Sequence, residues 1–461
     1  MGSAILVAGL IMLGMLGGCA EAPKHPMATK STKPYITEQP SIQPDQGVRV
    51  LSVRLSPKQI EETKTLDKKE VRAATEDKHT ATVNPEQRIM HDDKTESTPA
   101  TLLRTLSEEN VTRLISDRVP NRSDWAKDIL KVFTALNLPA SPSNVCSVLA
   151  VIQQESGFQA NPAVNGMHRI ILSELESKYG EYGKQAVKIM LDVTSPGERQ
   201  TYWGRLMTAK TEYDVDRVFR DYLVYQEVSH PKLINVAAFA GKAFGIDDIG
   251  EFNPVTTVGS MQVSVKFSQE QAKFNGMGAW QTRESLYTRY GGIYYGALRL
   301  LGYQANYNDI IYRFADYNLG MYASRNAAIQ QQLSVLIGYK LALDGDLLRY
   351  TKSGAVDAEE SESEKAILAF AKRYAPALDK KTIHNDLYSE KSAAFETTKT
   401  YLAIKQAYTA TYGTPDYARL PGVEIKSPKI KSKFTTAGFA QAVDGKYQRC
   451  LKKIELLTAS D

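Results

Sequence analysis

Residues 143–158 carry the feature that most restricts the fold, an apolar stripe at helical spacing that ends on a carboxylate. Val145, Val148 and Ile152 fall on one helical face, and the next step of three residues reaches Glu155. A carboxylate that continues a core-facing stripe is either desolvated or placed at the lip of a cleft, and both environments tend to raise its pKa. The alternative is a solvated carboxylate at a frayed helix end.

Capping residues predict the limits of this helix. Ser143 and Asn144 favour a start, and Gly157 favours an end. Glu155 then lies in the last turn, where the negative end of the macrodipole favours the neutral acid. A glutamic acid that stays protonated near neutral pH can protonate a glycosidic oxygen, which makes Glu155 the candidate catalytic residue.

Two later segments carry side chains that suit such an acid. Gly259, Met261 and Gln262 combine a glycine turn with an apolar and an amide side chain. Further along, the apolar stripe of another helix delivers the phenol of Tyr317 to its interior side, and Asn318 follows. A tyrosine hydroxyl is a suitable partner for a carboxyl group that cycles between charge states.

In this order the segments resemble the soluble lytic transglycosylases and the wider goose-type lysozyme superfamily, whose signature is Glu-Ser, Gly-Leu-Met-Gln and Ala-Tyr-Asn-Ala-Gly. The resemblance implies that Glu155 is the lone catalytic acid and base, because the acetamido group of the substrate helps to expel the leaving group. It implies substrate-binding roles for Ser156, Gly259, Met261, Gln262, Tyr317 and Asn318.

The sequence departs from that signature in three ways. About a hundred residues separate the acid from the glycine turn, which predicts a large helical insertion at about 162–258. Asp316 and Leu319 replace small residues around the Tyr-Asn pair. Ser260 stands where leucine is commoner.

A second resemblance covers nearly all of the chain from about Trp125 to Cys450. The sequence is similar to the YaiW-type envelope lipoproteins, a family of unknown function, and the resemblance implies that the long insertion belongs to the family's architecture. The similar segments are Trp125–Asp128, Cys146–Val151 with Gln154–Ser156, Tyr312–Asp316, Tyr322–Ala328, Lys340–Asp346 and Ser427–Ile430.

The N-terminal residues predict a lipid anchor. Residues 1–18 contain an apolar core too short for a comfortable membrane span, followed by Leu16-Gly-Gly-Cys19, which resembles the bacterial lipobox. Cleavage would leave Cys19 as the acylated first residue, and several acyl chains hold a protein firmly at a membrane. Ala20, rather than aspartate, favours the outer membrane. Residues 19–101 are rich in Lys, Glu, Thr, Pro and Gln, which predicts a largely disordered tether.

Cys146 and Cys450 are the two cysteines left after acylation of Cys19. In an oxidising compartment they favour a disulfide that joins the helix of Glu155 to a C-terminal helix. Two buried free thiols are the alternative.

Residues 102–461 predict a mainly α fold with a lysozyme-like helical core, the insertion and C-terminal helices, because no parallel-sheet rhythm or long strand pattern competes with the helical one. Thr435 and Thr436 are predicted N-caps. The expected helices are Trp125–Leu136, Ser143–Ser156, Gly291–Leu301, Tyr307–Tyr317, Ser324–Leu343, Glu359–Arg373, Ala393–Tyr412 and Thr436–Leu457.

Composition and motifs exclude several classes. A formal net charge of +5 over 461 residues is too small to indicate nucleic-acid binding. We expect no cofactor, since the chain lacks a P-loop, a dinucleotide fingerprint and a nucleophile elbow. No metal site is expected, because the histidines follow no HExxH or paired-cysteine pattern; they are His25, His79, His91, His168, His230 and His384.

Two further groups have both a functional and a structural interpretation. Arg325 and Asn326 suit a substrate carboxylate, although capping or an ion pair is favoured. A tyrosine-rich segment suits either a sugar platform or the core, and the core is favoured. Its members are Tyr287, Tyr290, Tyr294, Tyr295 and Tyr303.

Two functions therefore stay open. The first is an outer-membrane lytic transglycosylase that cleaves peptidoglycan between N-acetylmuramic acid and N-acetylglucosamine. The second is a non-catalytic envelope lipoprotein that binds a glycan or peptide and acts with a partner protein complex.

Overall fold

The computed structural model describes residues 105–194, 197–229, 253–351, 354–424 and 435–459. The predicted signal segment 1–18, Cys19 and the predicted tether up to residue 101 lie outside these ranges. Within them, no helix combines the length and the apolar character that crossing a bilayer requires.

The described residues are mainly helical, which confirms the predicted class. They form fifteen α-helices, one 3-10 helix at Ala393–Thr397 and a two-stranded antiparallel pair, β1 Thr257–Val258 with β2 Val263–Ser264. The helices are α1 Glu108–Leu114, α2 Arg122–Ala135, α3 Pro142–Glu155, α4 Met167–Leu191, α5 Tyr202–Thr208, α6 Glu212–Ser229, α7 Val265–Lys273, α8 Ala279–Leu286, α9 Arg289–Leu301, α10 Ile311–Leu319, α11 Ala323–Ile337, α12 Glu362–Tyr374, α13 Lys380–Leu387, α14 Lys399–Tyr412 and α15 Thr436–Thr458.

Helix α3 has the apolar face that its sequence predicts. Val145, Val148 and Ile152 are completely buried, and Glu155 is the last helical residue. The helix begins one residue before the predicted Ser143, because the Ser141 hydroxyl accepts a hydrogen bond from the Asn144 N–H and Pro142 follows as the first helical residue.

Helix α15 packs along α3 and α10 and completes the largest core. The Thr435 hydroxyl caps it by accepting from the Gly438 N–H, as predicted. Cys450 of α15 forms a disulfide with Cys146 of α3, which confirms the predicted pairing. The disulfide therefore joins the helix that ends on Glu155 to a helix 304 residues further along the chain.

Helices α4, α5 and α6 fall within the predicted insertion and share a core of their own, built from Met167, Ile171, Leu175, Val187, Leu191, Tyr202, Leu206, Val215, Val218, Phe219 and Tyr222. Asp216 of α6 accepts hydrogen bonds from Arg283, Tyr287 and Asn253. These bonds fix α6 against α8 and against the segment that leads into β1.

Helices α11 to α14 surround another core. The predicted Glu359–Arg373 helix begins three residues later than expected, at Glu362. Two further predicted helices are wrong in extent here. The helix from Ser324 was predicted to reach Leu343, but it stops at Ile337 because Gly338 adopts a left-handed conformation with φ 71°. The predicted Ala393–Tyr412 helix is divided at Thr398, whose hydroxyl caps α14.

Candidate groove with a carboxylate at its wall

A cavity of about 460 Å³ lies where α3, α4, α6, α9, α10 and α15 meet the turn between β1 and β2. We call it the groove and define it by Glu155, Glu212, Gln262, Arg299 and Tyr317, all of which line it. Glu155, Gln262, Tyr317 and Asn318 were singled out in the sequence as catalytic or binding residues. The fold brings these four side chains from three separate segments to one cavity.

Glu155 reaches the groove from the C-terminal end of α3 and is half-buried. Ser156, the next residue, is buried and does not line the cavity. Its hydroxyl donates to the Ile152 carbonyl oxygen at 3.1 Å and accepts from the Gln159 N–H at 3.3 Å. Ser156 therefore ends the helix that carries the acid and does not face the groove.

The turn between β1 and β2 depends on Gly259. This glycine has φ 81°, and a Cβ there would overlap the Leu286 carbonyl oxygen, so only glycine fits. Met261 is completely buried against Gly296 of α9, where a Cβ would overlap its side chain. Gly259 and Met261 thus lie behind the groove wall and hold Gln262 in it.

Tyr317 links α10 to that turn. Its hydroxyl donates to the Met261 carbonyl oxygen at 2.8 Å. Burial, together with the negative charge of Glu155, raises the pKa of the Tyr317 phenol, so the hydroxyl stays a neutral donor. Asn318, next to it, is exposed and lines the groove.

Asp316, one of the departures from the lysozyme signature, lies outside the groove. It is almost fully buried, and its carboxylate accepts from the hydroxyls of Tyr303 and Tyr307 and from the backbone N–H groups of Tyr322 and Ser324. Burial raises the pKa of Asp316. Its role is to fix the connection between α10 and α11.

The tyrosine-rich segment belongs to the core and its edges, as favoured from the sequence. None of its five tyrosines lines the groove. The Tyr287 hydroxyl donates to Asp216, the Tyr303 hydroxyl donates to Asp316, and Tyr294 and Tyr295 pack edge to face.

Three charged residues of the groove were missed in the sequence, namely Glu174 of α4, Glu212 of α6 and Arg299 of α9. Glu212 is only 3% exposed and accepts a hydrogen bond from Gln262 Nε2 at 2.8 Å. Burial lowers the pKa of Arg299, although a guanidinium keeps its charge in proteins. Glu174 and Glu212 lie in a stretch that carries no recognisable motif, so no local pattern could have identified them.

Helix α15 contributes the apolar side chain of Phe439 to the groove. Two helical turns further on, Lys446 Nζ donates to the Gln154 side-chain oxygen at 2.7 Å, beside Glu155. Across the described ranges, no three His, Cys, Asp or Glu side chains are grouped so that they could hold a metal ion.

The fold and the groove define a mainly helical protein whose cavity combines carboxylates with amides and a phenol. The chain belongs to the family described as "Protein of unknown function (DUF1615)", which matches residues 118–453. It is 37% identical over 342 residues to the "Uncharacterized protein YaiW" of Escherichia coli (strain K12), a match that covers 73% of this chain and 86% of the relative. The resemblance to the YaiW-type family is therefore confirmed. No solved structure matches the chain.

Proposed function

We propose that this protein is a peptidoglycan lytic transglycosylase whose helical core is lysozyme-like. The observation that carries the proposal is the meeting of Glu155, Gln262, Tyr317 and Asn318 in one cavity of about 460 Å³. A cavity of this size accommodates a small number of sugar rings. The order of these residues along the chain is the order of the transglycosylase signature.

In the proposed reaction Glu155 acts twice. As an acid it protonates the glycosidic oxygen, and the bond from that oxygen to C1 of N-acetylmuramic acid breaks. As a carboxylate it then removes the proton from the C6 hydroxyl of the same sugar. The C6 oxygen forms the new bond to C1. The proton returns to Glu155, no water is consumed, and the product is a 1,6-anhydro sugar.

The half-buried position of Glu155 suits both steps, because a carboxyl at a cavity wall can reach a ligand while its charge is only partly solvated. Asn318, exposed at the same cavity, is placed to bind the acetamido group of a sugar. Tyr317 supports the turn that carries Gln262 through its bond to the Met261 carbonyl oxygen.

One observation favours the alternative, a non-catalytic lipoprotein that binds a glycan or peptide for a partner complex. The single O–H of Tyr317 donates to the backbone of Met261. A hydroxyl has one hydrogen to donate, so the phenol does not donate to the Glu155 carboxyl at the same time.

The proposed site of action is the outer membrane, where acylated Cys19 would anchor the chain and residues 19–101 would carry the folded part away from the bilayer. Mass spectrometry of the N-terminal peptide tests the anchor. We expect a triacylated Cys19, and a Cys19→Ser protein that leaves the membrane fraction. An unmodified Cys19 would contradict it.

The deciding experiment is digestion of purified peptidoglycan by the full chain in detergent, with products separated by mass. The wild type is expected to release anhydromuropeptides, and Glu155→Gln is expected to lower the rate by about 100-fold or more, since general acid-base groups contribute that much. The matched control is Glu176→Gln, an exposed glutamate of α4 outside the groove.

Equal thermal unfolding of the three proteins would show that the fold is unchanged. An intact glycan in every digest would contradict cleavage. Retention of the folded protein by that glycan would then support the binding alternative.

A further inference from the structure

Glu212 is a groove carboxylate that the transglycosylase signature does not contain. It is the first residue of α6, it is 3% exposed, and it lines the groove. A carboxylate so deeply buried is retained only where hydrogen bonds stabilise it. One such bond comes from Gln262, fifty residues later in the chain.

The side-chain amide of Gln262 is held from several sides. Its Nε2 donates to Glu212 Oε2 at 2.8 Å and to the Gly259 carbonyl oxygen at 3.3 Å. Its Oε1 accepts from the Thr257 hydroxyl at 3.3 Å. An amide nitrogen has two hydrogens, so both of its donors are used within the protein.

The hydrogen bond to Glu212 decides which way this amide points. The nitrogen and oxygen of an amide have nearly the same shape, and the hydrogen-bond partners determine the orientation. An ionised carboxylate only accepts, so it attracts the nitrogen and repels the oxygen. A glutamine at position 212 could donate instead, and the amide of Gln262 could then turn around.

The position of Glu212 is fixed independently of the groove. One helical turn later on α6, Asp216 is bound by Arg283 at 3.0 Å and 3.1 Å, by the Tyr287 hydroxyl at 2.5 Å and by Asn253 at 2.6 Å. Helix α6 is thereby attached to α8, and its first residue is held beside the turn that carries Gln262.

We propose that Glu212 is a positioning and specificity-determining residue, which orients Gln262 so that its amide meets a ligand only as a hydrogen-bond acceptor. The ligand group bound by Gln262 is then a donor, such as a sugar hydroxyl or an acetamido N–H, and not a carbonyl oxygen. The inference rests on the proposed function for the identity of the ligand. It also gives the segment around 162–258 a direct part in the site.

The first test needs no ligand. The side-chain amide protons of Gln262 are identified in nitrogen-edited spectra of the full chain by their loss in Gln262→Ala. We expect both protons to exchange slowly in the wild type, and at least one to exchange fast in Glu212→Ala and in Glu212→Gln. Unchanged exchange in both Glu212 variants would overturn the positioning role.

The second test is a double-mutant cycle on affinity for N-acetylchitotetraose, measured by calorimetry. Because each substitution removes one partner of a buried hydrogen bond, we expect Glu212→Ala and Gln262→Ala each to weaken binding by about tenfold. If Glu212 acts through Gln262, the double variant is no weaker than the single ones. An additive loss of about 100-fold would overturn the inference.

Asp221→Asn is the matched control, because Asp221 lies on the same helix, forms an ion pair with Arg205 of α5 and does not line the groove. It is expected to lower the unfolding temperature and to leave affinity within about twofold of the wild type. If the wild type neither cleaves peptidoglycan nor binds the tetrasaccharide, the proposed function fails, and the exchange measurement alone decides the role of Glu212.

Discussion

The groove and the buried polar network around Arg325 contain the same kinds of side chain. In the groove these side chains face a cavity, whereas in the network they face other protein atoms. The groove places Glu155, Gln262, Tyr317 and Asn318 on a cavity. The Arg325 network, which we define as Arg325, Asn326, Gln330, Tyr350 and Glu390, uses a glutamate, two amides and a tyrosine as well.

In the Arg325 network the polar atoms form hydrogen bonds with other atoms of the same chain. Arg325 is 0% exposed and donates to the Ser392 and Glu390 carbonyl oxygens and to Glu396. Glu390, also 0% exposed, accepts from Asn326, from Tyr350 and from the Leu347 N–H. Arg325 and Asn326 therefore serve an ion pair and backbone contacts, as favoured from the sequence, and not a substrate carboxylate.

The comparison shows that the same residue chemistry can line an open cavity or form a closed structural network. Both regions bury carboxylates and raise tyrosine pKa values, in Tyr317 and in Tyr350. The polar groups of the groove face open volume, whereas the polar groups of the network face other atoms of the protein. Substitutions in the network are accordingly expected to change stability, and those in the groove to change ligand chemistry.

The largest effect on stability is expected for Arg325→Met, which leaves the buried polar partners of the guanidinium without a donor. Breaking a buried ion pair typically costs about 3 to 5 kcal/mol, measured here as the free energy of unfolding in urea. Arg349→Met, at an exposed ion pair, is the control and should cost at most about 1 kcal/mol. Loss of glycan cleavage by folded Arg325→Met protein would contradict the division between the two regions.

Glu390 should make the network sensitive to pH. Burial raises the pKa of Glu390 to about 7, above its ordinary value of 4.5. A carboxyl whose pKa is higher in the folded state binds more protons there, so its contribution is full below pH 4.5 and is lost as pH rises through 7. The free energy of unfolding should fall by about 3 kcal/mol across that window.

The Glu390→Gln protein is expected to show a flatter pH dependence of unfolding between those limits. Glu359→Gln, on an exposed glutamate, serves as the reference. Identical slopes for Glu390→Gln and the wild type would rule out Glu390 as the titrating group.

The disulfide should affect the groove side alone, because Cys146 and Cys450 join α3 to α15. The Cys146→Ser, Cys450→Ser protein is expected to lose about 2 to 3 kcal/mol of unfolding free energy. Amide hydrogen exchange should rise in α3 and α15 and stay unchanged in α11 and α12. An equal rise in all four helices would mean that the two regions unfold as one unit.

Tyr317→Phe and Tyr350→Phe form the finest comparison, since each removes one hydroxyl. Loss of the bond to the Met261 carbonyl oxygen should cost about 1 kcal/mol in Tyr317→Phe, and cleavage should fall with it as the turn of Gln262 loosens. Tyr350→Phe should lower stability at least as much without changing cleavage. Equal cleavage rates in the two variants would remove Tyr317 from the site.

The helical class, the apolar face of α3 and the disulfide could be predicted because each depends on local spacing or on residue type. The meeting of Glu155, Gln262 and Tyr317 required knowledge of a signature, since their separation along the chain contains no geometric information. Glu212 could not be found, because its contact with Gln262 depends on how α6 packs on α8.

The signature residues Ser156, Gly259 and Met261 show a different limit. A motif marks positions that a site needs, but it does not distinguish a side chain that faces a ligand from one that shapes the backbone behind it. Gly259 has no side chain that could contact a ligand, and the side chain of Met261 is buried in the core. Burial, which depends on the whole fold, makes the distinction.

The packing of α15 against α3 has a consequence for biosynthesis. Phe439 is part of the groove wall, and Cys450 is the second half of the disulfide. A ribosome must therefore translate the chain through residue 450 before the groove can be complete. A nascent or prematurely terminated chain lacks this part of the wall, so any activity that needs the complete groove begins only after α15 has been synthesised.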